Sequence, residues 1–237
     1  MLIRLLLLLV VIGVAPLSAM AEKPTYEGLS LRAGTYWIYR GVVKWTRMNS
    51  HEVREGVLSW KMDVVRSARV GRYEVALLKG HPADLAWYES GKPRGDHLIV
   101  RDAGRYYRLG LRDPGKELAA LLSDVTQLES RLDSDALFLD LPLREGTCFG
   151  EDPDAKRDDM FYCWYVEKEM RRTLDGVKGI SPTKQIVMFR LSWRSNPDHT
   201  FVDFVPGVGI TRYVYGHHGT VSEADLRLVE YHPGRVP

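Results

Sequence analysis

Residues 57–65 read Val57-Leu58-Ser59-Trp60-Lys61-Met62-Asp63-Val64-Val65. Leu58, Trp60, Met62 and Val64 fall on one parity, and Ser59, Lys61 and Asp63 on the other. An extended chain sends successive side chains to opposite faces, so this is a strand with one face in a core and one in water. Strands of that kind belong to antiparallel sheets, because parallel sheets are covered on both sides. Working outward, Gly34-Thr35-Tyr36-Trp37-Ile38-Tyr39-Arg40-Gly41-Val42-Val43-Lys44-Trp45-Thr46 is dense in aromatic and β-branched residues. It reads as one long strand, or as a strand with a bulge at Gly41. On the other side, a turn at 69–71 leads into 72–78 and makes a hairpin.

The same signals continue along the chain. Short strands are expected at 85–89, 97–101 and 105–109, separated by Gly91, Pro93, Gly95 and Gly104 as turn residues. Later strands are expected at 146–149, 160–169, 185–194, 199–205, 209–216 and 226–231. A single helix interrupts them: Asp113 is a suitable N-cap and Pro114 suits the first helical position. Leu118, Leu121, Leu122, Val125, Leu128 and Leu132 then form one apolar stripe. That stripe should cover a sheet face or plug a barrel end. About eleven strands and one amphipathic helix predict a mainly β fold, a single curved antiparallel sheet. Half-barrel, barrel and sandwich all remain open, because periodicity carries no strand order. No long Gly/Pro/Ser linker and no repeat divides residues 22–237, so they read as one domain.

The N-terminus has a different composition. Arg4 precedes an apolar run from Leu5 to Val14, and Ala19 and Ala21 form a small-x-small site. This tripartite pattern predicts a signal peptide over residues 1–21, cut after Ala21. A lasting span needs about 20 apolar residues, and Gly13, Pro16 and Ser18 interrupt this run. No stable membrane span is expected after cleavage. Removal of residues 1–21 leaves 32 basic against 31 acidic side chains. Near-neutrality with interspersed signs argues against nucleic acid or an anionic membrane surface as the partner. Cys148 and Cys163 are the two cysteines. In an oxidising compartment such a pair is expected as a disulfide, contributing about 3 kcal/mol on the chain-entropy estimate. Export to the periplasm or the medium follows from these features together.

The run Phe204-Val205-Pro206-Gly207-Val208-Gly209-Ile210, a strand through Tyr215, then Gly219-Thr220 and Leu226-Arg227-Leu228-Val229-Glu230-Tyr231 resembles the ending of many uncharacterised exported bacterial β proteins. Gly34-Thr35-Tyr36-Trp37-Ile38-Tyr39 is similar to their opening strand. More remotely, the chain resembles periplasmic lipoprotein carriers, whose half-barrel shelters acyl chains. That resemblance implies an exported β protein and carries no ligand residue across.

Few residues stand out chemically. His217 and His218 lie in an expected turn, where both can reach one ion, but a metal site needs a third ligand and no HxH or HExxH spacing is present. Glu151, Asp152, Asp154, Asp158 and Asp159 could hold calcium, yet their spacing is not that of a calcium loop and Lys156 and Arg157 offset the charge. No GxSxG elbow occurs, and no cofactor motif is found. The aromatic content is more informative. Tyr36 and Trp37 have opposite parity, and Tyr162 and Trp164 oppose Phe161 and Cys163. Some strands are therefore apolar on both faces, which calls for cover by the helix, a partner or a ligand. Trp37, Trp60, Tyr162 and Trp164 are the candidate ligand-binding residues.

The leading expectation is a non-enzymatic binding protein, a carrier of a lipid or other apolar ligand. An envelope protein-interaction module and an extracytoplasmic hydrolase are the alternatives. A carrier requires an enclosed apolar cavity with few convergent polar groups. An interaction module requires an exposed apolar patch or bare sheet edge, and a hydrolase a cleft where His and carboxylates converge.

Overall fold

A computed structural model describes residues 28–47, 50–85, 93–150, 159–219 and 221–234. The expected signal peptide with Ala21, residues 86–89 and the acidic residues 151–158 lie outside these. The strands are β1 (Tyr36–Thr46), β2 (Val53–Val70), β3 (Tyr73–Lys79), β4 (Asp96–Asp102), β5 (Arg105–Gly110) and β6 (Leu137–Asp140), followed by β7 (Cys148–Phe149), β8 (Trp164–Arg172), β9 (Ile186–Arg194), β10 (Asp198–Val205), β11 (Gly209–His217) and β12 (Ser222–His232). All pair antiparallel in the order β6-β5-β4-β3-β2-β1-β12-β11-β10-β9-β8-β7. Two meanders, β1–β6 and β7–β12, are thus joined by β1 against β12. The result is a nearly closed barrel. Its open seam lies between β6 and β7, and the chain crosses it directly. Both seam strands are short, and β7 pairs with only Trp164 and Tyr165 of β8, so the seam-side edge of β8 beyond Val166 has no strand beside it among the described residues.

Strand parity separates the two faces of the wall. Trp37, Tyr39, Trp60, Met62, Val64, Ala76, Leu78 and Ile99 belong to one buried cluster, which fills the barrel with Phe189, Leu191, Phe204, Tyr213 and Leu226. Residues of the other parity on β3–β5, including Val75, Leu98, Val100, Tyr107 and Leu109, form a second cluster with Leu118, Leu121 and Leu128. The helical segment therefore covers an outer face and does not plug an end. The outer face of the second meander carries charges instead. Arg190 grips Asp203 through two bonds of 2.8 and 3.0 Å. Arg212 grips Asp225 in the same way at 2.9 and 2.7 Å.

Several local features differ from expectation. The helix is two, α1 (Pro114–Ser123) and α2 (Val125–Glu129), because Asp124 adopts an extended conformation and its carboxylate caps Thr126 and Gln127. Val125 consequently leaves the buried stripe and is 39% exposed. Leu85 ends a 3-10 turn, Pro82–Leu85, in place of starting a strand. Gly41 lies within continuous pairing between β1 and β2, while the irregularity of β1 falls between Ile38 and Tyr39 against β12. In β2, an irregularity between Val64 and Arg66 inverts parity, so Val64 faces the interior and Val70 faces the helices. Cys148 and Cys163 form a disulfide, with Cα atoms 5.8 Å apart, that ties β7 to the turn before β8.

Candidate functional site

Polar side chains reach the barrel interior from the turn after β3. Gly80 takes φ +78°, and a Cβ there would stand 2.4 Å from the Lys61 carbonyl, so the position requires glycine. The Gly80 carbonyl accepts the indole N–H of Trp60 at 2.9 Å, fixing the turn to the barrel wall. His81 follows and is 5% exposed. Its Nδ1 accepts the Ala83 N–H at 3.1 Å and lies 2.8 Å from Nη1 of Arg108. Both partners are donors, so Nδ1 must be the unprotonated nitrogen and Nε2 carries the hydrogen. That Nε2 is buried with no hydrogen-bond partner. Burial first, then the electrostatic influence of Arg108 and of His97, pushes the His81 pKa well below the usual imidazole value and keeps the ring neutral.

Arg108 projects inward from β5, on the parity of Tyr106. Burial lowers its pKa while Tyr213 and the Asp84 carboxylate act to raise it, and no carboxylate among the described residues lies within ion-pair distance of it. Across the barrel, Thr200 and Tyr213 are buried, and burial raises the Tyr213 phenol to about 12. Next to His81, the His97 Nε2 meets Asp84 Oδ1 at 2.8 Å, while the other Asp84 oxygen accepts the Gly95 N–H at 3.0 Å. The His97 Nδ1 is also buried without a partner.

His81, Arg108, Thr200 and Tyr213 line a cavity of about 210 Å³. Its remaining wall is mainly apolar: Phe138 and Leu139 from β6, Trp164 from β8, Leu191 and Trp193 from β9, Val202 and Phe204 from β10. Trp164 and Trp193 pack at 5.8 Å between ring centroids. Asp135, exposed on the loop before β6, marks the mouth. The cavity therefore lies in the barrel interior beside the seam, lined by β6 on one side of it and by β8, β9 and β10 on the other.

The candidate ligand residues fall into three environments. Trp164 lines the cavity. Trp37 is fully buried, its indole N–H donating to the Val208 carbonyl at 2.6 Å, and it belongs with Trp60 to the packed core. Tyr162 is 37% exposed and outside the cavity. On the outer surface His218 approaches His199 at 3.2 Å, nitrogen to nitrogen, whereas His217 ends β11. No group of three metal-ligating side chains occurs among the described residues. His81, Asp84, His97 and Arg108 were missed from sequence. Arg108 shares the parity of Tyr106, but Tyr107 and Leu109 make the other parity of β5 apolar as well, so alternation carried no signal of an inward cation.

No family model matches the chain, and no curated protein matches it. It is similar to two solved bacterial structures. One is a putative lipoprotein from Parabacteroides distasonis ATCC 8503, 11% identical with a TM-score of 0.35. The other is a putative exported protein with YmcC-like fold from Bacteroides fragilis NCTC 9343, 8% identical with a TM-score of 0.39. Each likeness covers 87% of this chain and 99% of the other.

Proposed function

We propose that this chain is an exported protein, periplasmic or secreted, that binds a small and largely apolar ligand inside its barrel without transforming it. The carrying observation is the cavity beside the seam, apolar over most of its wall and furnished with a few convergent polar groups, the usual make-up of a ligand site. Its volume is below the roughly 300–1,000 Å³ of drug-sized pockets, which favours one ring or a short chain over a long acyl chain. Export is supported by the pattern of residues 1–21 and by the paired cysteines.

Binding is favoured over catalysis because covalent chemistry needs a nucleophile held by its base. Neither His81 nor His97 hydrogen-bonds a hydroxyl or thiol among the described residues. A docking function is less well supported. The exposed Val53, Val57 and Val65 of β2 are separated along the strand by Glu55, Ser59, Lys61 and Asp63 and form no continuous patch.

Native mass spectrometry of protein gently purified from a bacterial periplasm tests this. The expected species is residues 22–237, two hydrogens light, with an added mass that disappears on denaturation. A clean apo mass, together with unchanged Trp fluorescence across a library of small apolar compounds, would overturn the binding function. A chain retained in the cytoplasm with residues 1–21 attached would overturn export.

A further inference from the structure

The polar groups of the cavity are unevenly matched. Arg108 commits Nη1 to His81 and has no carboxylate partner among the described residues. His81 is neutral through its contacts at Nδ1, and its Nε2–H is a buried donor facing no acceptor. Buried donors are almost always paired, and Arg108 is half-buried, its guanidinium facing the cavity. Asp135 stands exposed at the mouth and forms no ion pair with Arg108. The interior thus offers a guanidinium and an imidazole N–H beside an apolar space; the Asp84 carboxylate acts on Arg108 electrostatically but is bonded to His97 and the Gly95 N–H and forms no ion pair with it.

We propose that the ligand is a compact carboxylic acid, held with its carboxylate on Arg108 and the His81 N–H and its apolar body against Trp164 and Trp193. This rests on the barrel-interior binding function proposed above. A monoanion fits better than a phosphate monoester, because a second negative charge would meet no second cation in the cavity. Arg108 suits a carboxylate because its planar fork can present two parallel N–H groups to the two oxygens. The neutral state of His81 matters too. A protonated ring would set a second positive charge against Arg108, whereas the neutral ring supplies a donor without that repulsion.

Trp164 and Trp193 provide the readout. Intrinsic fluorescence of the purified, delipidated protein is titrated with hexanoate, hexanamide and hexylamine, and in parallel with benzoate and benzamide. Each acid is expected to bind at least tenfold more tightly than its amide, and hexylamine not at all. Arg108→Met should reduce the acid-to-amide ratio to near one while retaining weak binding of the amides, with far-UV circular dichroism confirming the fold. The comparison within the wild type stands even if that variant fails to fold. Equal affinity for acids and amides would overturn the carboxylate and leave interior binding intact. Absence of binding by every probe would count against both.

Discussion

The backbone of Gly41 lies where β1 and β12 pinch together. A Cβ at this position would stand 1.8 Å from the carbonyl oxygen of Asp225. Gly41→Ala should therefore destabilise the fold by about 1–3 kcal/mol through overpacking, read as a lower urea midpoint at unchanged slope. Trp60 tests a different kind of constraint. Its N–H holds the Gly80 carbonyl and so the turn that carries His81. Trp60→Phe should cost about 1–3 kcal/mol by leaving that carbonyl unpaired, and should weaken ligand binding although Trp60 does not touch the cavity. Unchanged affinity in a stably folded Trp60→Phe protein would show that the turn holds His81 without it. Arg108 explains why the polar site was hard to read from sequence. On β5, Tyr107 and Leu109 face the helices while Tyr106 and Arg108 face the interior. With apolar residues on both parities, alternation alone does not say which face is inside, and a charged residue then defaults to solvent.

At the scale of elements, the long alternating strands were legible because one face meets water. The first strand, the β2–β3 hairpin and most of the second meander fall close to their expected positions. β6 was not, for it has four residues, Leu137–Asp140, and too short a run to establish a period. The helical break escaped for a related reason. Asp124 falls off the apolar stripe, where a polar residue is expected anyway, and only its extended backbone and its bonds to Thr126 and Gln127 reveal a cap. Asp124→Ala should cost about 1 kcal/mol, the usual loss for an N-cap, measured by chemical denaturation. Joint replacement of Cys148 and Cys163 by serine should cost about 3 kcal/mol. Since the bridge secures β7 beside the seam, hydrogen exchange should quicken first in β7 and the start of β8. Uniform quickening across the sheet would show that the bridge stabilises the whole barrel and no particular edge.

The molecule as a whole should feel the neutral state of His81. The unfolded chain binds a proton on this imidazole below about pH 6.5, whereas the folded interior, through burial first and the Arg108 guanidinium second, resists it. The contribution is fully present above the unfolded value and is lost as pH falls below it, at up to about 1.4 kcal/mol per pH unit. Denaturation at pH 7.5 and pH 5.5 should show this fall in the wild type and a shallower one in His81→Gln. Equal stability of the wild type at both values would contradict a neutral buried ring.

The junction of β1 with β12 has a consequence for the order of assembly. The phenol of Tyr36 hydrogen-bonds Glu230, 194 positions later, at 2.8 Å. A chain emerging from a ribosome or a translocation channel presents β1 early and its partner near the end. During that interval the first meander can zip through local hairpins, but one side of β1 stays bare and Trp37 lacks the Val208 carbonyl that takes its N–H. Closure by so distant a contact places folding toward the slow range of milliseconds to seconds. A bare hydrophobic strand waiting that long is a site for holding chaperones and for pairing between unfinished chains. The architecture that encloses the cavity therefore keeps the chain threadable until its last strand arrives.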